Sequence, residues 1–296
     1  MRGPVVAVWG LLLNALVWGV SWWPFRALHE LGLHPLWTTA LIYTLALLCL
    51  LLVVPGALLA CRSLAHQPML WLLMLATGLC NVGFNWAVTI GDVVRVVLLF
   101  YLMPLWAVLL AWGLLGEAPT RRALLRLSLA LAGVVIVLKT PETPWPLPSG
   151  LHDWLALVAG FCFALTNVLL RRLKDTPDTT RMLAMFSGGA LTALTTAVLC
   201  GLLGWVNRPP MLDTPGVLLA LLTSLAFLAA NLGLQYGAAR LSASTTALIM
   251  LTEVVFASLS SVLLGAAGLT GSTVLGGTLI LLAALGSAWP ERRRPT

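Results

Sequence analysis

The stretch MLWLLMLATGLCNVGFNWAVTI, Met69–Ile90, contains no charged side chain. Wound into an α-helix, its 22 residues rise about 33 Å, enough to cross a hydrocarbon core of roughly 30 Å. Its polar residues are not scattered: Thr77, Asn81, Asn85 and Thr89 recur at every fourth position and share one helical face. Lipid offers carboxamides no hydrogen bonds, so this face must turn toward other helices or a wet cavity. The segment predicts a membrane span with a working side.

The rest of the chain reads the same way. It has 296 residues, 60% of them hydrophobic and only 9% charged, with a mean hydropathy of +0.98. Soluble domains carry roughly 25% charged residues, so a secreted enzyme, a nucleic-acid binder and a disordered tail are excluded. Ten apolar windows follow one another: Pro4–Trp23, Pro35–Cys61, Met69–Ile90, Val93–Leu115, Ala123–Leu138, Leu151–Leu170, Met182–Val206, Gly216–Ala238, Ser242–Leu264 and Ser272–Trp289. These are continuous runs rather than alternating strands, which excludes a β-barrel. The expectation is an all-α polytopic membrane protein with ten transmembrane helices. Pro4–Trp23 is too long for a signal-peptide core and stands as the first span.

The net charge of +7 comes from single basic residues and short groups that fall between the windows. With the N-terminus inside, the cytoplasmic segments hold Arg2, Arg62, Arg121, Arg122, Arg126, Arg171, Arg172, Lys174, Arg181, Arg240 and Arg292 to Arg294, 13 of the 17 basic residues. Only Arg26, Arg95, Lys139 and Arg208 remain outside. The positive-inside rule then puts both termini in the cytoplasm. These charges read as topology signals, not as a nucleic-acid surface. Cys49, Cys61, Cys80, Cys162 and Cys200 lack metal or disulfide spacing, and His29, His34, His66 and His152 fall in or beside loops. No metal and no cofactor is expected.

The Pro-rich stretch TPETPWPLPSG, Thr140–Gly150, cannot be helical throughout and parts the chain into two halves. The division is residues 1–140, a linker 141–150, and residues 151–296. A shift of 150 residues superimposes spans 3 to 5 on spans 8 to 10, placing Asn81 on Asn231, Gly83 on Gly233, Ala107 on Ala257 and Thr120 on Thr270. Asn85 meets Gln235 and Trp86 meets Tyr236. A shift of 145 relates span 1 to span 6, with Ser21 on Thr166 and Arg26 on Arg171. Five spans per half is an odd number, so the halves are two inverted five-helix repeats, an arrangement of transporters with a site near mid-membrane.

The block FYLMPLWAVLLAWGLLGEAPT (Phe100–Thr120), followed by a basic and then an apolar segment ending LALAGVVIVL, resembles the end of an EamA domain of the drug/metabolite transporter superfamily. Leu251–Gly265, LTEVVFASLSSVLLG, is similar to that family's Glu-Pro-Val stretch in the ninth span. The resemblance covers nearly the whole chain in two tandem copies. It implies a ten-helix carrier with alternating access, often an exporter of amino acids or other small metabolites. The chain departs from the pattern in three places. Val254 stands where a proline is expected after Glu253, while the first copy keeps Pro104. Gly116 and Glu117 become Ala266 and Ala267. Tyr43 lies near the place of an arginine often present in the second span.

Glu253 is the sharpest single feature, about a dozen residues from either end of span 9. An ionised acid at that depth costs at least about 2.5–3.5 kcal/mol, so it must be protonated, paired or facing water. Two roles fit: coupling protons to transport or binding a substrate amine, and a neutral structural acid bonded to a neighbouring helix. Asn81, Asn85, Asn231 and Gln235 are candidates for a substrate path or for interhelical bonding. Trp86 and Tyr236 lie beside them, and Trp18, Tyr43 and Tyr101 are candidate cavity walls. Asp92 and Arg95, three apart at the outer start of span 4, are candidates for an extracellular gate. Pro104 should kink or break span 4.

The sequence lacks HExxH, a P-loop, GxGxxG and intramembrane Ser–His or paired-Asp sets, which argues against a membrane-embedded enzyme. A channel would be expected to show a selectivity segment or a charged ring. The reading is a secondary active carrier, an exporter of a small neutral or zwitterionic metabolite such as an amino acid. A uniporter or a drug-efflux carrier without proton coupling is the alternative. Its partners are the solute, the bilayer and, under the coupled reading, protons. The expected location is the bacterial inner membrane.

Overall fold

Proline, glycine and short polar residues punctuate the apolar runs, and several helices begin on them. The computed structural model describes residues 2–54, 56–90, 96, 99–139, 148, 150–264 and 271–288. All regular structure among them is helical: α1 (Arg2–Val20), α2 (Trp22–Glu30), α3 (Pro35–Val53), α4 (Ala57–His66), α5 (Pro68–Ile90), α6 (Met103–Leu115), α7 (Arg121–Leu138), α8 (Leu151–Arg172), α9 (Asp178–Leu202), α10 (Thr214–Arg240), α11 (Ala243–Met250), α12 (Thr252–Leu263) and α13 (Gly271–Ala288). The caps are legible. His34 Nδ1 accepts the Leu36 N–H at the start of α3, Thr120 accepts from Ala123 before α7, and Asp213 accepts from Gly216 before α10. Pro35, Pro104 and Pro215 sit in first turns, where the missing N–H costs nothing.

Among the described residues, six stretches are long and apolar enough to cross a membrane: Pro4–Glu30, Pro35–Val53, Pro68–Ala87, Leu151–Arg172, Asp178–Leu202 and Thr214–Arg240. Met103–Leu115, Thr245–Ala257 and Val274–Ala283 are shorter apolar helices. The first window is longer than expected, since α2 continues the apolar stretch of α1 to Glu30 after a turn at Ser21. The second is shorter. Its helix stops at Val53, and Gly56, with φ of 84°, starts the separate α4, so Pro35–Cys61 is not one span.

Many large apolar side chains face outward, and alanines share the interior with buried leucines and Phe186. Leu52 is 85% exposed, Leu202 80% and Leu263 75%, while Ala7, Ala15, Ala46, Ala130 and Ala159 are fully buried. That inverts the pattern of a water-soluble bundle and suits helices packed by close backbone approach in lipid. Two crossings show it. A Cβ on Gly188 of α9 would stand 2.0 Å from the Met74 carbonyl oxygen of α5, and one on Gly10 of α1 would stand 2.8 Å from that of Gly233 of α10. Helix pairs recur under the shift between the halves: α1 on α10 and α8 on α5, α1 on α12 and α8 on α6.

Span 9 is not one helix. Ser242–Leu264 is interrupted at Leu251, because the Thr252 hydroxyl takes the Ile249 carbonyl and the Val254 N–H turns back to Leu251. Side-chain bonds of this kind compete with the helical ladder. The break has a counterpart 150 residues earlier, at Tyr101 and Leu102, after which α6 begins at Met103. Span 4 is thus broken just before Pro104, which sits in the first turn of the helix that follows.

Candidate functional site

The two breaks meet. Glu253 lies in the first turn of α12, one residue beyond Thr252, and Tyr101 lies at the break before α6. The Tyr101 hydroxyl donates to the Glu253 carboxyl group. The acid that has no partner in the sequence thus has one in the fold, and it stands at a helix start instead of halfway along a helix.

Glu253 lines a cavity of about 50 Å³ together with Trp18, Tyr43, Asn81, Asn231 and Thr166. That is several times the roughly 10–15 Å³ that a single water needs. Phe84, Phe100 and Phe163 form much of one wall, with ring centroids of Phe84 and Phe163 at 4.7 and 5.9 Å from that of Phe100. Trp18 and Tyr43 belong to a second aromatic group: Phe227 packs edge-on to Trp18 at 4.5 Å, and Phe186 lies 5.6 Å from Tyr43. Among the described residues that line the cavity, Glu253 is the acid and there is no Lys, Arg or His. No three His, Cys, Asp or Glu among the described residues come together to hold a metal ion.

The polar face of α5 divides its labour. Tyr43 of α3 donates to Asn81 Oδ1 at 2.9 Å, and Asn81 Nδ2 donates to the Thr77 carbonyl at 2.8 Å. One turn on, Asn85 Nδ2 donates to the Thr39 hydroxyl. Thr39 and Tyr43 are four apart, as are Asn81 and Asn85, so antiparallel α3 and α5 are joined by two rungs. Asn81 reaches the cavity and Asn85 does not. The second half repeats the plan: Asn231 lies against Met185 Sδ of α9 and lines the cavity, while Gln235 is buried 2.6 Å from Asn231. In the amide orientation that satisfies its neighbours, Gln235 donates to the Asp178 carbonyl and accepts from the Met182 N–H.

Tyr101, expected as a cavity wall, meets Glu253 without lining the cavity, and two further aromatic candidates lie elsewhere. Trp86 packs against Trp205, and Tyr236 carries the Arg240 guanidinium 3.6 Å above its ring. Each is one residue from a carboxamide, and a step of about 100° turns it off that face. Asp92 and Arg95, the candidate gate, and the side chain of Thr89 lie outside the described residues. Phe84, Phe100, Phe163, Met185 and Thr166 also line the cavity, and none of them stood among the expected site residues. Nor did Asp153, which is fully buried in the first turn of α8 with its Oδ1 3.3 Å from His152 Nε2.

One end of the bundle is closed by arginines. Arg171 Nη1 donates to the Ala239 carbonyl at 2.8 Å, with its Nε 3.7 Å from Glu117 Oε1, and Arg172 Nη1 donates to the Leu114 carbonyl at 2.8 Å. Arg181, 1% exposed, pairs with Asp178 and donates to the Leu170 carbonyl. The ends of α6, α8 and α10 and the start of α9 are tied by these contacts.

Comparison with known proteins adds the family. The sequence pattern of the EamA-like transporter family matches residues 5–139 and, a second time, residues 151–289. No protein of curated function matches the chain. A crystal structure of a protein 19% identical in sequence superposes with a TM-score of 0.75, covering 95% of this chain and 96% of that one. At that identity the likeness concerns the fold alone.

Proposed function

Because the chain belongs to the EamA-like transporter family, we propose that it is a secondary active carrier that exports a small zwitterionic or neutral metabolite, such as an amino acid, by alternating access. The observation that carries this reading is the cavity between the halves, where Glu253 and Asn231 of the second half face Trp18, Tyr43 and Asn81 of the first. The proposed frame is ten spans in two inverted five-helix repeats, residues 1–140 and 151–296 joined by 141–150, in a bacterial inner membrane with both termini cytoplasmic. Carriers of this kind hold their solutes where spans are discontinuous, and the breaks at Tyr101 and Leu251 adjoin the cavity.

The solute's ammonium group docks at the Glu253 carboxylate and displaces the Tyr101 hydroxyl. Trp18 and Tyr43 offer ring faces to the cation, while Asn81 and Asn231 supply amide groups to the polar remainder. In the empty carrier a proton on Glu253 does the work of the absent cation, which couples export to proton entry.

Reconstitution of the full chain in vesicles tests the reading. Saturable counterflow of an amino acid or amine from a panel of small metabolites supports a carrier; flux that neither saturates nor shows counterflow points to a channel. Glu253→Gln separates the two roles of the acid. Counterflow kept while proton-driven accumulation is lost makes Glu253 the coupling residue, and loss of both makes it a binding residue. Full pH-dependent transport in that variant sinks both.

A further inference from the structure

Below the cavity, toward the arginine-bearing end, lies a layer of buried polar side chains that the hydrogen-bond network does not use. Asn14 is 1% exposed, and Asn167 and Thr246 are fully buried. Asn14 Oδ1, both polar atoms of the Asn167 carboxamide and the Thr246 hydroxyl have no hydrogen-bond partner among the described residues. Buried polar groups are nearly always bonded, and leaving one unbonded is costly. A purely structural layer would be served better by alanine or leucine.

Their placement is ordered. Asn14 is four residues from the cavity residue Trp18 on α1, Asn167 is four from Phe163 on α8, and Thr246 is seven from Glu253 along span 9. The four-residue steps return to the same helical face, and the step from Thr246 to Glu253 crosses the break at Leu251. All three steps run the same way. The start of α1 and the ends of α8 and α10 lie together, since Gly237 abuts Ala7 and Leu11, and Arg171 reaches Ala239. α11, which carries Thr246, packs against both α1 and α8. The contacts of Arg171 and Arg172 are made at this same end of the bundle. Beside Thr246, Ala247 packs with Ala164 and Ala107, and Trp106 and Leu110 lie against these alanines.

We propose that Asn14, Asn167 and Thr246 line the next section of the solute's path, closed here and wetted when the arginine contacts release. This rests on the carrier reading. The layer supplies amide and hydroxyl groups to a polar solute leaving Glu253, so that no step of the passage lacks hydrogen bonds. The Arg171–Glu117 and Arg172–Leu114 contacts are the latch over it.

Thiol accessibility tests this without knowledge of the solute. In a chain whose five cysteines are replaced by alanine, Asn14→Cys, Asn167→Cys and Thr246→Cys are each exposed, in permeabilised vesicles, to a charged methanethiosulfonate. Thr166→Cys, on the cavity, is the positive control, and Leu225→Cys, on the outer face, is the negative one. Reaction at two or more of the three supports the path. The rate should rise about fivefold or more when Arg171→Ala and Glu117→Gln loosen the latch, the lower end of typical coupling between sites. Reaction at Thr166→Cys with one or none of the three overturns the inference and leaves the carrier standing. An unreactive Thr166→Cys removes the wet cavity, and the carrier reading falls with it. Hydrogen exchange on the chain with native side chains at these three positions is the second measurement. Peptides covering 243–250 should exchange faster once the latch is loosened, and unchanged exchange counts against the path.

Discussion

Tyr101 and Glu253, 152 residues apart in the chain, share a hydrogen bond at the point where two interrupted spans meet. The bond joins the halves at their breaks, so it reports on the same geometry that a bound solute would change. With Glu253 protonated in the empty carrier, a neutral hydrogen bond of this kind contributes about 0.5–1.5 kcal/mol. Tyr101→Phe should therefore lower thermal stability in detergent and leave the Glu253 carboxyl free to bind. Combined with Glu253→Gln it should cost less than the sum of the two, as bonded partners do. Additive losses in a double-mutant cycle would show that the two residues act separately.

Trp18 and Trp86 are equal in the sequence as aromatics in polar company, but the fold separates them. Trp18 lines the cavity and Trp86 packs on Trp205. Trp18→Ala should raise the KM for an amine-bearing solute about tenfold, the loss expected from a desolvated cation–π contact of roughly 1–2 kcal/mol. Tyr236→Phe should leave KM unchanged, because that ring faces Arg240. Concentration-dependent uptake in vesicles measures both, and equal effects would move the binding site away from Trp18.

What could be read in the sequence was what lipid forbids. Charges and carboxamides are rare enough in an apolar span that Glu253, Asn81 and Asn231 stand out on composition alone, and the repeat of the two asparagines at 150 residues raised them further. The aromatic wall was not legible. Phe84, Phe100 and Phe163 are ordinary residues in apolar runs, and only the packing of α5, α8 and span 4 makes them a surface. The break at Leu251 was hidden for another reason: Val254 replaces the proline that would have marked it, and the interruption rests on the Thr252 side chain. Asn14 and Asn167 did carry a signal, a lone carboxamide in a span, but neither obeys the repeat that drew attention to α5 and α10.

The crossing of α5 and α9 should be the least tolerant of added bulk. Gly188→Leu would drive a side chain into the Met74 backbone, 2.0 Å from where its Cβ must sit. Overpacking costs about 1–3 kcal/mol where neighbours can move, and here the neighbour is a helix backbone, so loss of folded protein is expected. At Gly113 of α6, by contrast, an added Cβ would meet nothing within 4 Å. Gly113→Ala should therefore raise stability by up to about 1 kcal/mol through helix propensity. Yield of monodisperse protein and unfolding temperature, measured side by side, check the contrast.

His34 links stability to pH outside the spans. Its Nδ1 accepts the Leu36 N–H at 3.2 Å, a bond that needs the neutral ring. Burial first, and the nearby His29 second, hold its pKa below the usual imidazole value of about 6.5. A lowered pKa means that the unfolded chain binds the proton more tightly than the folded one. The cap's contribution is then complete above about 6.5 and declines as pH falls through that value toward the folded pKa. The unfolding temperature should drop between about pH 7.5 and about pH 5.5, with a loss near the ~1 kcal/mol of a helix cap. His34→Asn keeps a capping acceptor without a titrating group, so it should flatten that part of the profile. An unchanged slope in His34→Asn would place the pH dependence on other groups.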